Sequence, residues 1–241
     1  MTKVAAPARS TKNQPAQQFD NVVKLGNRNY KRVELLPRNT AQETYVEALL
    51  SKRMVFAVGP AGTGKTLLAV LRAIQALRSQ EITKIIITRP AVSVDEKHGF
   101  LPGTLNEKME PWTRPIFDVF EEYYGLLETA KMLEEGVIEI APLGFMRGRT
   151  FKHAYVIVDE AQNCTVDQMK MVLTRLGERS SIVVTGDLRQ HDRGFEKNGL
   201  LDFLDRLIKN PSLSLEVCKF GREHVERDEL VAEVLRIYGE D

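Results

Sequence analysis

One short run of the chain, Gly59-Pro-Ala-Gly-Thr-Gly-Lys-Thr66, carries what a nucleoside triphosphate needs from a protein. Glycines at 59, 62 and 64 allow the backbone to turn tightly, so that N–H groups converge on anionic oxygens. A helix starting at Lys65 places the positive end of its dipole behind them. Lys65 then reaches the β and γ phosphates, and Thr66 offers a hydroxyl to Mg2+, a hard cation that takes oxygen ligands. The expected ATP-binding residues are therefore Gly59, Pro60, Ala61, Gly62, Thr63, Gly64, Lys65 and Thr66. The flanks separate this reading from a chance Gly-rich turn: Met54–Val58 is an apolar strand pattern, and Leu67, Leu68, Val70, Leu71 and Ile74 continue as a helix with one apolar face.

About ninety residues further on, the apolar run Tyr155–Val158 ends in Asp159 and Glu160, which places two carboxylates where open α/β sheets hold their ligands. Asp159 suits the second protein contact to magnesium and Glu160 suits the base that takes a proton from an attacking water. Taken alone, an apolar run followed by two acids is also how an ordinary strand ends in solvated charge. A third strand pattern, Ile182–Thr185, leads into Gly186-Asp-Leu-Arg-Gln190, where Gln190 can meet the γ phosphate or the water. The bland alternative there is a Gly-Asp turn. Gln42, near the start of a helix ahead of the first strand, can offer its amide to the adenine edge or simply face solvent.

Short apolar runs alternate with helical patterns from Pro37 onward. The strands expected are Met54–Val58, Ile85–Thr88, Val137–Ile140, Tyr155–Val158, Ile182–Thr185 and Leu213–Val217. The helices expected are Thr40–Leu50, Lys65–Ser79, Pro115–Glu134, Val166–Leu176, Leu200–Ile208 and Val225–Tyr238. This alternation predicts an α/β fold, a P-loop NTPase with a RecA-like three-layer αβα arrangement and a mainly parallel sheet. Residues 1–35, rich in Ala, Pro, Gln, Asn and Lys/Arg, read as a disordered basic tail, and 36–241 as one ATPase domain. With 34 basic and 33 acidic residues the overall field selects no polyanion, so any nucleic-acid site must be a local cluster. Cys164 and Cys218 set up no disulfide framework and the four histidines show no zinc spacing, which suits a reducing cytoplasm. No apolar run approaches the roughly 20 residues of a membrane span.

The same motifs carry a family resemblance over about Leu36 to Tyr238. The chain resembles the PhoH-type ATPases, relatives of the N-terminal motor domain of superfamily 1 helicases. The match rests on Gly59–Thr66, Thr88-Arg-Pro-Ala91, Gly99-Phe-Leu-Pro-Gly103 with Glu107-Lys-Met109, Met146-Arg-Gly-Arg-Thr150, Val158-Asp-Glu-Ala-Gln-Asn163, and Thr185-Gly-Asp187 with Gln190. What the resemblance implies is ATP hydrolysis, coupling to RNA or single-stranded DNA, and assembly into ring-like homo-oligomers, such as a hexamer. The N-terminal tail is too short for the nuclease-like or RNA-binding domain that some members carry. His224-Val-Glu-Arg-Asp228 is a looser version of the family's pattern, and Arg227 stands where that pattern has its arginine.

Arg89, Arg147, Arg149 and Lys152 are the cations expected to gather at the carboxyl edge of the sheet, with Phe100, Trp112 or Phe145 as base-stacking surfaces. Those arginines can instead contact ATP across an interface. The chain holds no second P-loop half, so an arginine completing the site has to come from a neighbouring copy, Arg227 first and Arg222 second. Two rival functions remain at this stage: a slowly hydrolysing, ATP-switched adaptor, and a small-molecule kinase.

Overall fold

Strand runs such as Lys84-Ile-Ile-Ile-Thr88 and Ala154-Tyr-Val-Ile-Val158 have no polar alternation, the pattern of parallel strands covered on both faces. The computed structural model describes residues 30–90, 105–190, 197–226 and 229–238, without the side chains of 105–112, 229, 232 and 235. Among the described residues are six strands: β1 (Met54–Val58), β2 (Lys84–Thr88), β3 (Ile138–Ile140), β4 (Ala154–Val158), β5 (Ser181–Gly186) and β6 (Leu215–Lys219). They form one sheet in the order β3-β2-β4-β5-β1-β6, with every pairing parallel.

Helices cover both faces. On one side α1 (Thr40–Ser51), α2 (Lys65–Arg78), α3 (Leu105–Tyr124) and α4 (Leu126–Glu134) bury Tyr45, Ile74, Phe120 and Met132 against Ile85, Ile87, Ile157 and Val183. On the other, α5 (Val166–Leu173) and α6 (Gly199–Lys209) bury Met169, Val172 and Leu200 against Phe56, Ile86, Val156 and Val184. This is the RecA-like three-layer arrangement expected. The topology adds what periodicity cannot give: β5 lies between β1 and β4, so the glycine-rich loop and the acid pair stand one strand apart.

Several expected elements differ in their bounds, the helix expected over Val166–Leu176 ending at Leu173. The helix expected over Pro115–Glu134 starts at Leu105 and breaks at Gly125, whose φ of 81° ends α3 and opens α4. Pro115 sits exposed inside α3 instead of at its first position. The last strand runs Leu215–Lys219, displaced toward the carboxyl end by a turn that leaves Leu213 94% exposed. The final helix, α7, spans Glu229–Tyr238, four residues later than expected at its start, and a short 3-10 turn over Arg222–His224 follows β6. Residues 30–35, counted with the tail on composition, lie against the core through Tyr30, Val33 and Leu35. Tyr30 meets Tyr124 edge-to-face at 5.3 Å, with the Arg78 guanidinium 5.2 Å from its ring. The rest of the expected tail, residues 1–29, lies outside the described residues.

The carboxyl end of β6 locks the start of the glycine-rich loop. Phe220 N–H donates to the Val58 carbonyl at 2.8 Å, and Gly59 N–H donates to Gly186 at 3.0 Å. Gly59 has φ 153°, and a Cβ there would fall 2.3 Å from the Phe220 carbonyl oxygen. Gly59→Ala therefore forces β6 away from β1. We expect it to cost about 1–3 kcal/mol of strain, lowering the melting temperature by roughly 2–4 °C per kcal/mol and weakening nucleotide binding. Differential scanning calorimetry with and without nucleotide checks this; an unchanged melting temperature would show that the contact carries no weight.

Candidate nucleotide site

The loop between β1 and α2 is shaped by backbone that side chains resist: Gly62 and Gly64 have φ near 80° and 79°. Gly64 caps α2 from the left-handed region, so the helix opens at Lys65 with its N–H groups at the loop. Lys65 is buried, and its ammonium donates to the carbonyls of Gly59 at 2.7 Å and Pro60 at 2.5 Å, and to the Thr63 hydroxyl at 3.1 Å. Burial pushes its pKa down, and the nearby charges of Asp187, Glu160 and Asp159 pull it back up. A phosphate entering the loop would exchange these contacts for charged oxygens, a stronger partnership for a desolvated ammonium.

From across the sheet, Asp159 at the end of β4 meets this loop. The Thr66 hydroxyl donates to its Oδ1 at 2.8 Å, and the buried Thr185 hydroxyl at the end of β5 donates to the same oxygen at 2.6 Å. Glu160 follows with a left-handed backbone, φ 51° and ψ 41°, which turns its carboxylate into the cleft. There its Oε1 lies 3.9 Å from an Arg89 guanidinium nitrogen. The cleft is about 270 Å³ and is lined by residues 61–67 together with Arg89, Ile116, Asp159, Glu160, Asp187 and Gln190. A hydroxyl paired with a carboxylate beside a lysine-bearing anion loop fits a magnesium-bound polyphosphate: Thr66 and Asp159 would hold the ion, which screens phosphate charge.

Most of the expected residues meet here. Ala61 to Thr66, Asp159, Glu160 and Gln190 share the cleft, with Gln190 exposed at its rim. Gly59 and Pro60 stand behind it and act through their carbonyls on Lys65. Gln42, expected at an adenine edge, is seen here in contact with the protein itself. It is buried, its Nε2 donates to the Thr63 carbonyl at 3.2 Å and its Oε1 accepts from Arg38 N–H at 2.8 Å, so it braces the loop from outside. Arg227 lies outside the described residues, as do Phe100 and the Gly99–Gly103 motif, while Trp112 falls in α3 where side chains are not described. Glu226, beside Arg227, donates its N–H to the Gly62 carbonyl at 2.9 Å.

The expected cation cluster does not form as a cluster. Arg89 faces Glu160, and Arg149 binds Glu139 with both terminal nitrogens, holding that carboxyl below its usual range. Lys152 precedes β4 and so lies at the opposite, amino end of the sheet. Arg147 is exposed near Phe145, itself 66% exposed, on a turn anchored by buried Leu143 and Met146 after β3. Sequence reasoning gave no role to Thr185 or Gln162. Both sit within quoted motifs, but the bonds of Thr185 to Asp159 and of Gln162 to the Asp187 N–H are set by the placement of β5 beside β4, which no local spacing encodes. The two cysteines are buried, and burial pushes the Cys218 thiol up to about 12, so neither bears on the cleft.

The parallel sheet, the Gly59–Thr66 loop opening α2 and the acid pair one strand away define a P-loop NTPase. The chain belongs to the PhoH-like protein family, whose model matches residues 34–239. It is 45% identical over 213 residues to a PhoH-like protein of Bacillus subtilis, covering 88% of this chain and 66% of that protein. Protein PhoH of Escherichia coli K12 is 43% identical over 208 residues, covering 85% of this chain and 58% of its own length. The chain thus spans less than two thirds of either relative. Among solved structures, the ATPase core domain of the Sulfolobus solfataricus SWI2/SNF2 protein is similar at a TM-score of 0.45 and 14% identity, covering 84% of this chain and 46% of that one. No helix among the described residues is long and apolar enough to cross a membrane.

Proposed function

We propose that this chain binds ATP with Mg2+ and hydrolyses it. Water is the nucleophile: its oxygen bonds to the γ phosphorus, the bond from that phosphorus to the β-bridging oxygen breaks, and the water's proton passes to the Glu160 carboxylate. Lys65 neutralises the β and γ phosphates, while Thr66 and Asp159 hold the ion. Gln190, at the rim, senses the γ phosphate. The observation that carries this reading is the junction of Thr66 and Asp159 at 2.8 Å, with Glu160 next in the chain and lining the same cleft.

We further read the turnover as coupled to RNA or single-stranded DNA. The support is the Phe145–Arg147 turn, which offers an exposed aromatic ring and a nearby exposed guanidinium. Stacking on such a ring is worth about 1–3 kcal/mol per base, and the arginine suits a phosphate. The site is completed across a homo-oligomer, with Arg227 of a neighbouring copy reaching the transferring phosphoryl group. An arginine in that role is worth about 10³ to 10⁵ in rate.

Lys65→Ala is expected to abolish tight ATP binding in calorimetry, whereas Glu160→Gln keeps binding and stops phosphate release, since an amide cannot take the proton. Normal turnover by Glu160→Gln would remove it as the base. Arg147→Ala should weaken single-strand binding and lower the slope of its log affinity against log salt by about 0.7, one phosphate contact's counterions. An unchanged slope would place the nucleic acid elsewhere. Turnover per subunit should rise with protein concentration, and a mixture of Lys65→Ala with Arg227→Ala should recover activity that neither has alone. A fully active monomer by light scattering would rule out the shared site.

A further inference from the structure

A buried side chain that takes no part in the chemistry above contacts the group assigned as base. Gln162 follows Glu160 by two residues, in the 3-10 turn Ala161–Asn163, and is 0% exposed. Its Nε2 donates to Glu160 Oε2 at 2.5 Å, while its Oε1 accepts from Asp187 N–H at 3.1 Å. One primary amide therefore spans from the carboxylate at the end of β4 to the backbone just past the end of β5. A buried amide must satisfy its polar ends, and backbone partners would serve that need equally well. Here one partner is instead the charged group that lines the cleft.

The surroundings hold the amide in this orientation. A Cβ at Gly186 would come within 3.0 Å of Gln162 Oε1 and 2.7 Å of Leu200 Cδ2, so the bare glycine makes room for the bridge. Asp187 is itself fixed: its side chain accepts from Arg189 N–H at 3.0 Å, and its carbonyl accepts from Gln190 N–H at 3.1 Å. Glu160 stands on a left-handed backbone that a non-glycine residue adopts only when its surroundings impose it. Holding Oε2 from behind leaves Oε1 turned toward Arg89 and the cleft.

We propose that Gln162 is a positioning residue for hydrolysis: it fixes Glu160 by one carboxylate oxygen and ties that carboxylate to the 187–190 segment, whose end carries Gln190. This rests on Glu160 acting as the base. The link gives the γ-phosphate contact at Gln190 a physical route to the base, through Asp187 and one amide.

Two variants test it, both measured by phosphate release alongside ATP affinity by calorimetry. Gln162→Leu keeps the bulk and removes both polar ends; kcat should fall at least about tenfold, with ATP affinity within about twofold of wild type, because Lys65 and Thr66 are untouched. Gln162→Glu is nearly isosteric but sets a second carboxylate against Glu160, so the bond exists only when a proton is shared between them. Its kcat relative to wild type should rise as pH is lowered from about 8 to about 6, whereas a purely structural defect gives a constant ratio. Wild-type kcat in Gln162→Leu with intact binding, or a flat ratio for Gln162→Glu, would overturn the inference while leaving ATP hydrolysis standing. A wild-type protein that binds ATP and releases no phosphate would overturn the hydrolase reading, and this inference with it. Should Gln162→Leu fail to fold, the pH dependence of Gln162→Glu decides.

Discussion

The geometry of the cleft depends on a single buried oxygen. Asp159 Oδ1 accepts hydroxyls from Thr66, on the helix after β1, and from Thr185, at the end of β5. A carboxylate with so little of its surface exposed is expensive unless its lone pairs find donors. Satisfying it therefore draws three separate segments to one point. The anion loop, the acid pair and the strand between them are held in register by a charge that would otherwise be unpaired, and that charge is also the one a hard cation would use. Stability and chemistry draw on the same atom, so neither can be altered without the other.

The outer wall of the site is made differently, from backbone. Gln42 braces Thr63 from α1, Phe220 presses on Gly59, and Glu226 bonds to Gly62, so neutral amides and carbonyls from both ends of the sequence clasp the loop. Neutral partners hold position without competing for phosphate oxygens. Lys65 and Arg89 bring positive charge to the cleft, Lys65 facing Asp159, Glu160 and Asp187 and Arg89 facing Glu160.

How much of this was legible beforehand divides along physical lines. Gly59–Thr66 and Asp159-Glu160 could be read because their chemistry is local: consecutive residues make the loop, and an apolar run ending in acids makes the second half. The strands could be read because parallel burial leaves long β-branched runs. The role of Gln42 could not, since a glutamine near a helix start looks the same whether it faces solvent or braces a loop. Arg149 read as a free cation because its partner Glu139 sits ten residues back on β3, across an intervening turn. The break at Gly125 was hidden because helical periodicity resumes on its far side, and the strand order was needed to bring Thr185 to Asp159 and Gln162 to Asp187.

That strand order also bears on how the protein comes into being. β1 is made well before both of its neighbours, β5 and β6, which are encoded far downstream of it. Until residues 181–186 and 215–219 have been made, both edges of this apolar strand lack the partners they have in the finished fold, and the loop it carries lacks Phe220 and Glu226 as its outer clasp. Such distant parallel pairing is slow and leaves hydrophobic edges open in the interim. A nascent chain halted before β6 would expose a sticky strand and an unbraced anion loop, a natural client for chaperones and a poor binder of nucleotide. The last strand of the sheet is thus what finishes the first.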